Sequence, residues 1–142
     1  MIKIDQALES VRKVAEVLDI EVHKLGDSTK CFIGGFSQGG FIAAMVWKMY
    51  KKTLGGFILY SSLSGKSVPV CAEQEMTPVL WCHGSEDDMA PYKKIIKENE
   101  HLENGKRKLV HIVREGLGHA VDKVIQIETK TFMENVLVQP KL

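Results

Sequence analysis

Ile4, Leu8, Val11, Ala15, Leu18 and Val22 recur at three- and four-residue intervals, with Glu9, Arg12, Lys13 and Glu16 between them. That spacing predicts an amphipathic helix, closed near Gly26. Cys31 to Phe36 is a short apolar run, which predicts a buried strand. A second helix is expected from Gln38 to about Lys52, with Ala43, Ala44, Val46, Trp47 and Tyr50 as its apolar surface and Gly55-Gly56 as its stop. Phe57 to Tyr60 reads as the second strand. Ser61 to Thr77 is a long connection holding Gly65, Pro69 and several serines, and loops of that length are usually functional or mobile. Pro78 opens a third strand through Val79, Leu80, Trp81 and Cys82, followed by the acidic turn Glu86-Asp87-Asp88 and a helix from about Tyr92 to Leu102. Leu109 to Val113 is a fourth strand. The last helix, from about Ala120, presents Val121, Val124, Ile125, Phe132 and Val136 on one face.

Strands alternating with helices imply an α/β fold, with about four parallel strands flanked by helices. Ligands of such sheets bind beyond the carboxyl ends of the strands. The loops to inspect therefore begin near Ser37, Ser61, His83 and Arg114.

The 142 residues show no repeat, low-complexity tract or linker, so residues 1–142 are expected to form a single domain. Apolar residues make up 44% and charged residues 26%, which suits a globular chain rather than a disordered one. Nineteen basic against eighteen acidic residues leave a net charge of +1, which offers no footprint for nucleic acid or an anionic membrane. Cys31, Cys71 and Cys82 are odd in number and lack zinc spacing, so reduced thiols and a cytoplasmic setting are expected. The apolar stretch Phe41 to Trp47 is far short of the ~20 residues of a membrane span, and the start Met-Ile-Lys-Ile-Asp-Gln has no signal-peptide anatomy.

Gly35-Phe36-Ser37-Gln38-Gly39 has the pattern G-x-S-x-G between a strand and a helix. In a nucleophile elbow the serine occupies a tight, strained turn, glycines two residues away relieve crowding, and the following helix aims N–H groups at developing negative charge. The turn Glu86-Asp87-Asp88 supplies a carboxylate able to orient a histidine, or alternatively a solvated helix start, and pattern alone does not choose among its three acids. Gly116-Leu117-Gly118-His119 places a histidine in a glycine-flanked loop after the fourth strand, in competition with His23, His83, His101 and His111. Serine, acid and histidine then follow in the chain order of the α/β-hydrolase triad, each beyond a separate strand.

At these residues the chain resembles the acyl-protein thioesterase and carboxylesterase family of α/β-hydrolases. Gly34-Gly35-Phe36-Ser37-Gln38-Gly39-Gly40 matches the family's GGFSQGG elbow, and His83-Gly84-Ser85-Glu86-Asp87-Asp88-Met89-Ala90-Pro91 resembles its HGxxDxxVP segment except at Ala90. Gly116 to His119 resembles the loop bearing the family's histidine. The resemblance implies Ser37 as nucleophile, Asp87 as the acid, His119 as the base and Gln38 N–H as an oxyanion donor. Family members are longer at the amino end, where an HGxGD-type loop gives the second donor. His83-Gly84 is the only His-Gly here, so a truncated α/β-hydrolase fold is expected, about 10²–10³ slower for lack of one donor.

The implied activity is hydrolysis of acyl esters or thioesters through an acyl-enzyme, as in depalmitoylation. The resemblance implies a fatty-acyl ester or thioester as substrate, with a lipidated protein among its carriers. Leu63, Val68 and Val70 of the long connection either line an acyl channel or belong to a surface loop. No metal or organic cofactor is implied: H-E-x-x-H, phosphate-loop and dinucleotide motifs are all missing. Two other readings are a catalytically impaired hydrolase half acting as an oligomeric interaction module, and, more remotely, a flavodoxin-like binder using Gly34 to Gly40 as an anion loop. Without the longer amino part the strand Cys31 to Phe36 becomes an apolar sheet edge, so a homodimer across it is expected.

Overall fold

The computed structural model describes residues 4–139 of the chain. The side chain of Ile4, first in the expected stripe, lies outside the described residues. The elements are α1 (Ile4–Leu25), β1 (Phe32–Phe36), α2 (Gln38–Met49), β2 (Gly56–Tyr60), β3 (Val79–Gly84), α3 (Tyr92–Asn99), β4 (Leu109–Arg114) and α4 (Lys123–Leu137). The four strands form one parallel sheet in the order β1-β2-β3-β4, with Gly34 opposite Ile58, Ile58 opposite Leu80, and Leu80 opposite Val110. Among the described residues β1 stands at one end of the sheet and β4 at the other. None of the described helices is long and apolar enough to cross a membrane.

Strand periodicity of two divides the core between the faces. Phe57, Leu59, Val79 and Trp81 pack with Leu18 and Val22 of α1, with α2, and with Ile95 of α3. Ile58, Leu80 and Cys82 face the other way, onto Ile125 and Phe132 of α4. Strands covered on both sides read as the near-continuous apolar runs seen in the sequence.

The element boundaries that shifted did so for local reasons. The second helix ends at Met49, short of Lys52, because Tyr50 is extended (φ −72°, ψ 127°) and its hydroxyl donates to Asp19 at 2.7 Å. The last helix starts at Lys123 rather than near Ala120, because Asp122 is its N-cap: the carboxylate accepts from Ile125 N–H at 2.9 Å and from Arg114 Nε at 2.8 Å. β3 continues to Gly84, which puts His83 inside the strand and fully buried.

The connection from Ser61 to Thr77 is pinned along its length. Ser64 N–H and Oγ donate to Asn99 Oδ1 at 2.8 and 2.6 Å, and Asn99 Nδ2 donates to Ser62 O at 2.8 Å. Buried Gln74 donates to the carbonyls of Tyr50 and Lys52. Arg107, 6% exposed, lies over the Trp47 ring and donates to the carbonyls of Thr77, Leu102 and Gln74. Replacing Arg107 by methionine keeps the volume but orphans these carbonyls, and urea unfolding should show a loss of about 3 kcal/mol. An unchanged midpoint would mean that this clamp contributes nothing to the fold.

Candidate active site

β1 ends by turning sharply into α2, and Ser37 occupies the turn at φ 56°, ψ −125°. Ser37 and Ser61, which closes β2, are the non-glycine residues with positive φ among those described. Such backbone persists only where its surroundings enforce it. Here Ser37 N–H donates to Tyr60 O at 3.0 Å, while Ser37 O accepts from the N–H groups of Gly40 and Phe41. A Cβ on Gly35 would lie 2.4 Å from Gly39 O, so the turn closes only with glycine there. Gly39 has open space where its Cβ would be, and crowding does not account for that second glycine.

The acid is chosen by burial. Asp87 is 5% exposed, whereas Glu86 and Asp88 face solvent. Asp87 Oδ1 accepts from the N–H groups of Met89 (3.0 Å) and Ala90 (2.9 Å), and Oδ2 lies 2.7 Å from His119 Nδ1. A carboxylate can only accept, so the imidazole carries its proton on Nδ1. Nε2 is then an acceptor, and it lies 2.9 Å from Ser37 Oγ. Three groups separated by up to 82 residues thus form one chain of hydrogen bonds. It is arranged to take the hydroxyl proton of Ser37 as the oxygen attacks an electrophile.

The loops after β3 and β4 are sewn together, which fixes the histidine. Ser85 N–H donates to Arg114 O and Glu86 N–H to Leu117 O, while Ser85 Oγ accepts from Gly116 N–H at 2.8 Å. Any Cβ on Gly84 would fall 2.0 Å from Leu117 O. The Phe36 ring lies 4.7 Å from the His119 ring, a contact that spacing in the sequence gave no sign of.

Gln38 opens α2, where the first amide N–H groups have no intrahelical acceptor. Leu63 follows Ser61 and Ser62 near the site, and Ser62 packs where Gly40 lacks a Cβ. Val68 and Val70 lie elsewhere. They border a groove with Lys48 and Met49 at the far end of α2, about 16 Å down the helix from Ser37. Neither valine lies beside the serine itself. Among the described residues no group of three or more His, Cys, Asp or Glu is placed to hold a metal.

The remaining histidines are engaged elsewhere or exposed. His23 is exposed on α1. His101 Nε2 lies 2.8 Å from Lys48 Nζ, which also donates to Gly65 O. His83 and His111 approach Nε2 to Nε2 at 2.9 Å, stacked with Trp81.

On this geometry the chain can be compared with known proteins. A profile of the phospholipase/carboxylesterase family matches residues 3–137, and the chain belongs to that family. It is 30% identical over 134 residues to a probable carboxylesterase of Oryza sativa subsp. japonica, covering 92% of this chain and 50% of the relative. A probable inactive carboxylesterase of the same plant is 32% identical over 94 residues, covering 63% of this chain and 38% of that protein. The chain thus spans half or less of the length of these relatives. The crystal structure of Arabidopsis thaliana SOBER1 superposes with a TM-score of 0.85 at 26% identity, covering 96% of this chain and 67% of SOBER1.

Burial, and next the proximity of His111, push His83 down to about 4. Burial also lowers His111. The unfolded chain therefore binds more protons than the folded one between pH 4 and 6.5, and stability falls as pH drops through that window. His83 alone accounts for about 3 kcal/mol of that loss. Urea midpoints measured from pH 7 to pH 4 should show the decline, and His83→Gln should flatten it.

Proposed function

We propose that the chain is a serine hydrolase acting on acyl esters or thioesters. Ser37 attacks the acyl carbonyl, His119 takes the Ser37 proton and returns it to the leaving group, and Asp87 holds the imidazole and stabilises its cation. The N–H of Gln38 donates to the oxyanion at the start of α2. Water activated by His119 then releases the acid. The observation that carries this reading is the unbroken series Asp87 Oδ2, His119 Nδ1, His119 Nε2, Ser37 Oγ at 2.7 and 2.9 Å.

Membership of the phospholipase/carboxylesterase family supports an acyl substrate. A cryptococcal relative, 32% identical over 90 residues, is named acyl-protein thioesterase 1, which favours a fatty-acyl thioester on a lipidated protein. Leu63, two residues after Ser61, is our candidate for contact with the acyl chain. The unpaired thiols Cys31, Cys71 and Cys82 favour a cytoplasmic setting.

Gln38 N–H is the oxyanion donor named within this chain, and loss of one such donor slows turnover about 10²–10³. A second reading, an acyl-binding module without turnover, is favoured by the resemblance to a relative named probable inactive carboxylesterase.

A fluorophosphonate probe tests the choice. The hydrolase reading expects one adduct, on Ser37, absent in Ser37→Ala and slowed about 10⁴-fold in Asp87→Asn and His119→Ala. Folded protein that stays unlabelled after prolonged exposure would contradict it.

A further inference from the structure

Consecutive side chains of a strand point to opposite faces of its sheet. Phe36 and Ser37 depart from that rule, because both reach one imidazole. The Phe36 ring centroid lies 4.7 Å from that of His119, with the planes inclined by 43°. Ser37 Oγ lies 2.9 Å from His119 Nε2. The positive φ of Ser37, 56°, marks the point where the alternation ends. Phe36 is itself fixed, since it stands opposite Tyr60 in the register of β1 and β2, and Tyr60 O accepts the N–H of Ser37 at 3.0 Å. One stretch of backbone therefore sets both the nucleophilic oxygen and a ring that touches the base.

Both imidazole nitrogens are committed, Nδ1 to Asp87 Oδ2 and Nε2 to Ser37 Oγ. The Phe36 side chain has no hydrogen bond to offer, so it gives the histidine only dispersion and the electrostatics of its π face. Water competes little for a charge formed there, because the His119 side chain is 15% exposed and that of Asp87 is 0% exposed.

We propose that Phe36 is a positioning residue of the hydrolytic reaction, whose ring stabilises the imidazolium formed at His119 as Ser37 attacks. This rests on the serine-hydrolase reading and adds a side chain to it. Against the neutral imidazole the Phe36 ring gains dispersion alone. Once Nε2 has taken the Ser37 proton, positive charge spreads over the whole imidazole, carbons included. The face of a benzene ring is negative and attracts a cation centred within about 6 Å, a range that 4.7 Å satisfies. The contact is stronger after proton transfer than before it, and only interactions of that kind speed the chemical step. Asp87 meets the new charge at one nitrogen, and Phe36 meets it across the ring.

The limiting rate at which a fluorophosphonate labels Ser37 reads this effect, since attack requires His119 to become a cation. Site-specific replacement of Phe36 by mono-, di- and trifluorinated phenylalanine drains the π face at nearly constant shape. The limiting rate should fall with each fluorine, about fivefold over the series, while the half-saturating probe concentration stays the same. Phe36→Leu keeps the dispersion and loses the π face, so it should slow labelling by a similar factor. Phe36→Tyr keeps that face and should recover most of the loss. A ring that only fills space would give one rate across the fluorinated series, and that result overturns the proposal while Ser37 still labels. Folded wild-type protein that never labels overturns the hydrolase reading, and this role falls with it.

Discussion

A buried carboxylate has to be fully engaged by donors, and Asp87 meets that demand in a way that organises everything near it. One oxygen is held by two backbone N–H groups of its own turn, and the other is left for a single partner, His119 Nδ1. The turn is stitched in turn to the loop carrying His119, through Glu86 N–H to Leu117 O and Ser85 N–H to Arg114 O. With the imidazole so fixed, Nε2 has one lone pair, and it is directed at Ser37. Geometry of this kind is set by the loops after β3 and β4, which are short and bonded to each other, and it needs no movement to assemble.

The serine is delivered by a different constraint. A positive φ at a non-glycine residue is unfavourable, and it is maintained at Ser37 by β2 on one side and by the first turn of α2 on the other. The same turn leaves the N-terminal amides of α2 beside the hydroxyl oxygen, where negative charge would develop during attack. Backbone strain, helix polarity and the Asp87–His119 pair thus converge on one atom. The proposed chemistry depends on that convergence more than on any single residue.

Much of this was legible in the chain. Helix periodicity located α1, apolar runs located the four strands, and the alternation of the two pointed to the carboxyl ends where Ser37, Asp87 and His119 stand. Family resemblance, rather than spacing, singled out Asp87, and its burial between two exposed acids now gives the physical reason. Other features depend on through-space contacts that no local pattern encodes. Val68 and Val70 share a loop with Leu63, yet the loop runs the length of α2 and carries them away from the serine. The pairing of His83 with His111 needs two adjacent strands in register, with the two rings offset by two residues on one face. The late start of α4 reflects Asp122 bridging Arg114 and the helix N-terminus, a contact between elements rather than a propensity.

The central claim is that His119 stands with its Nδ1 proton held by an ionised, buried Asp87. Proton NMR on the folded protein measures that hydrogen bond directly. The account predicts a resonance far downfield of the amide envelope, removed by His119→Ala and by Asp87→Asn while the other histidine signals persist. A folded sample that shows no such resonance, under conditions where buried imidazole protons exchange slowly, would contradict it.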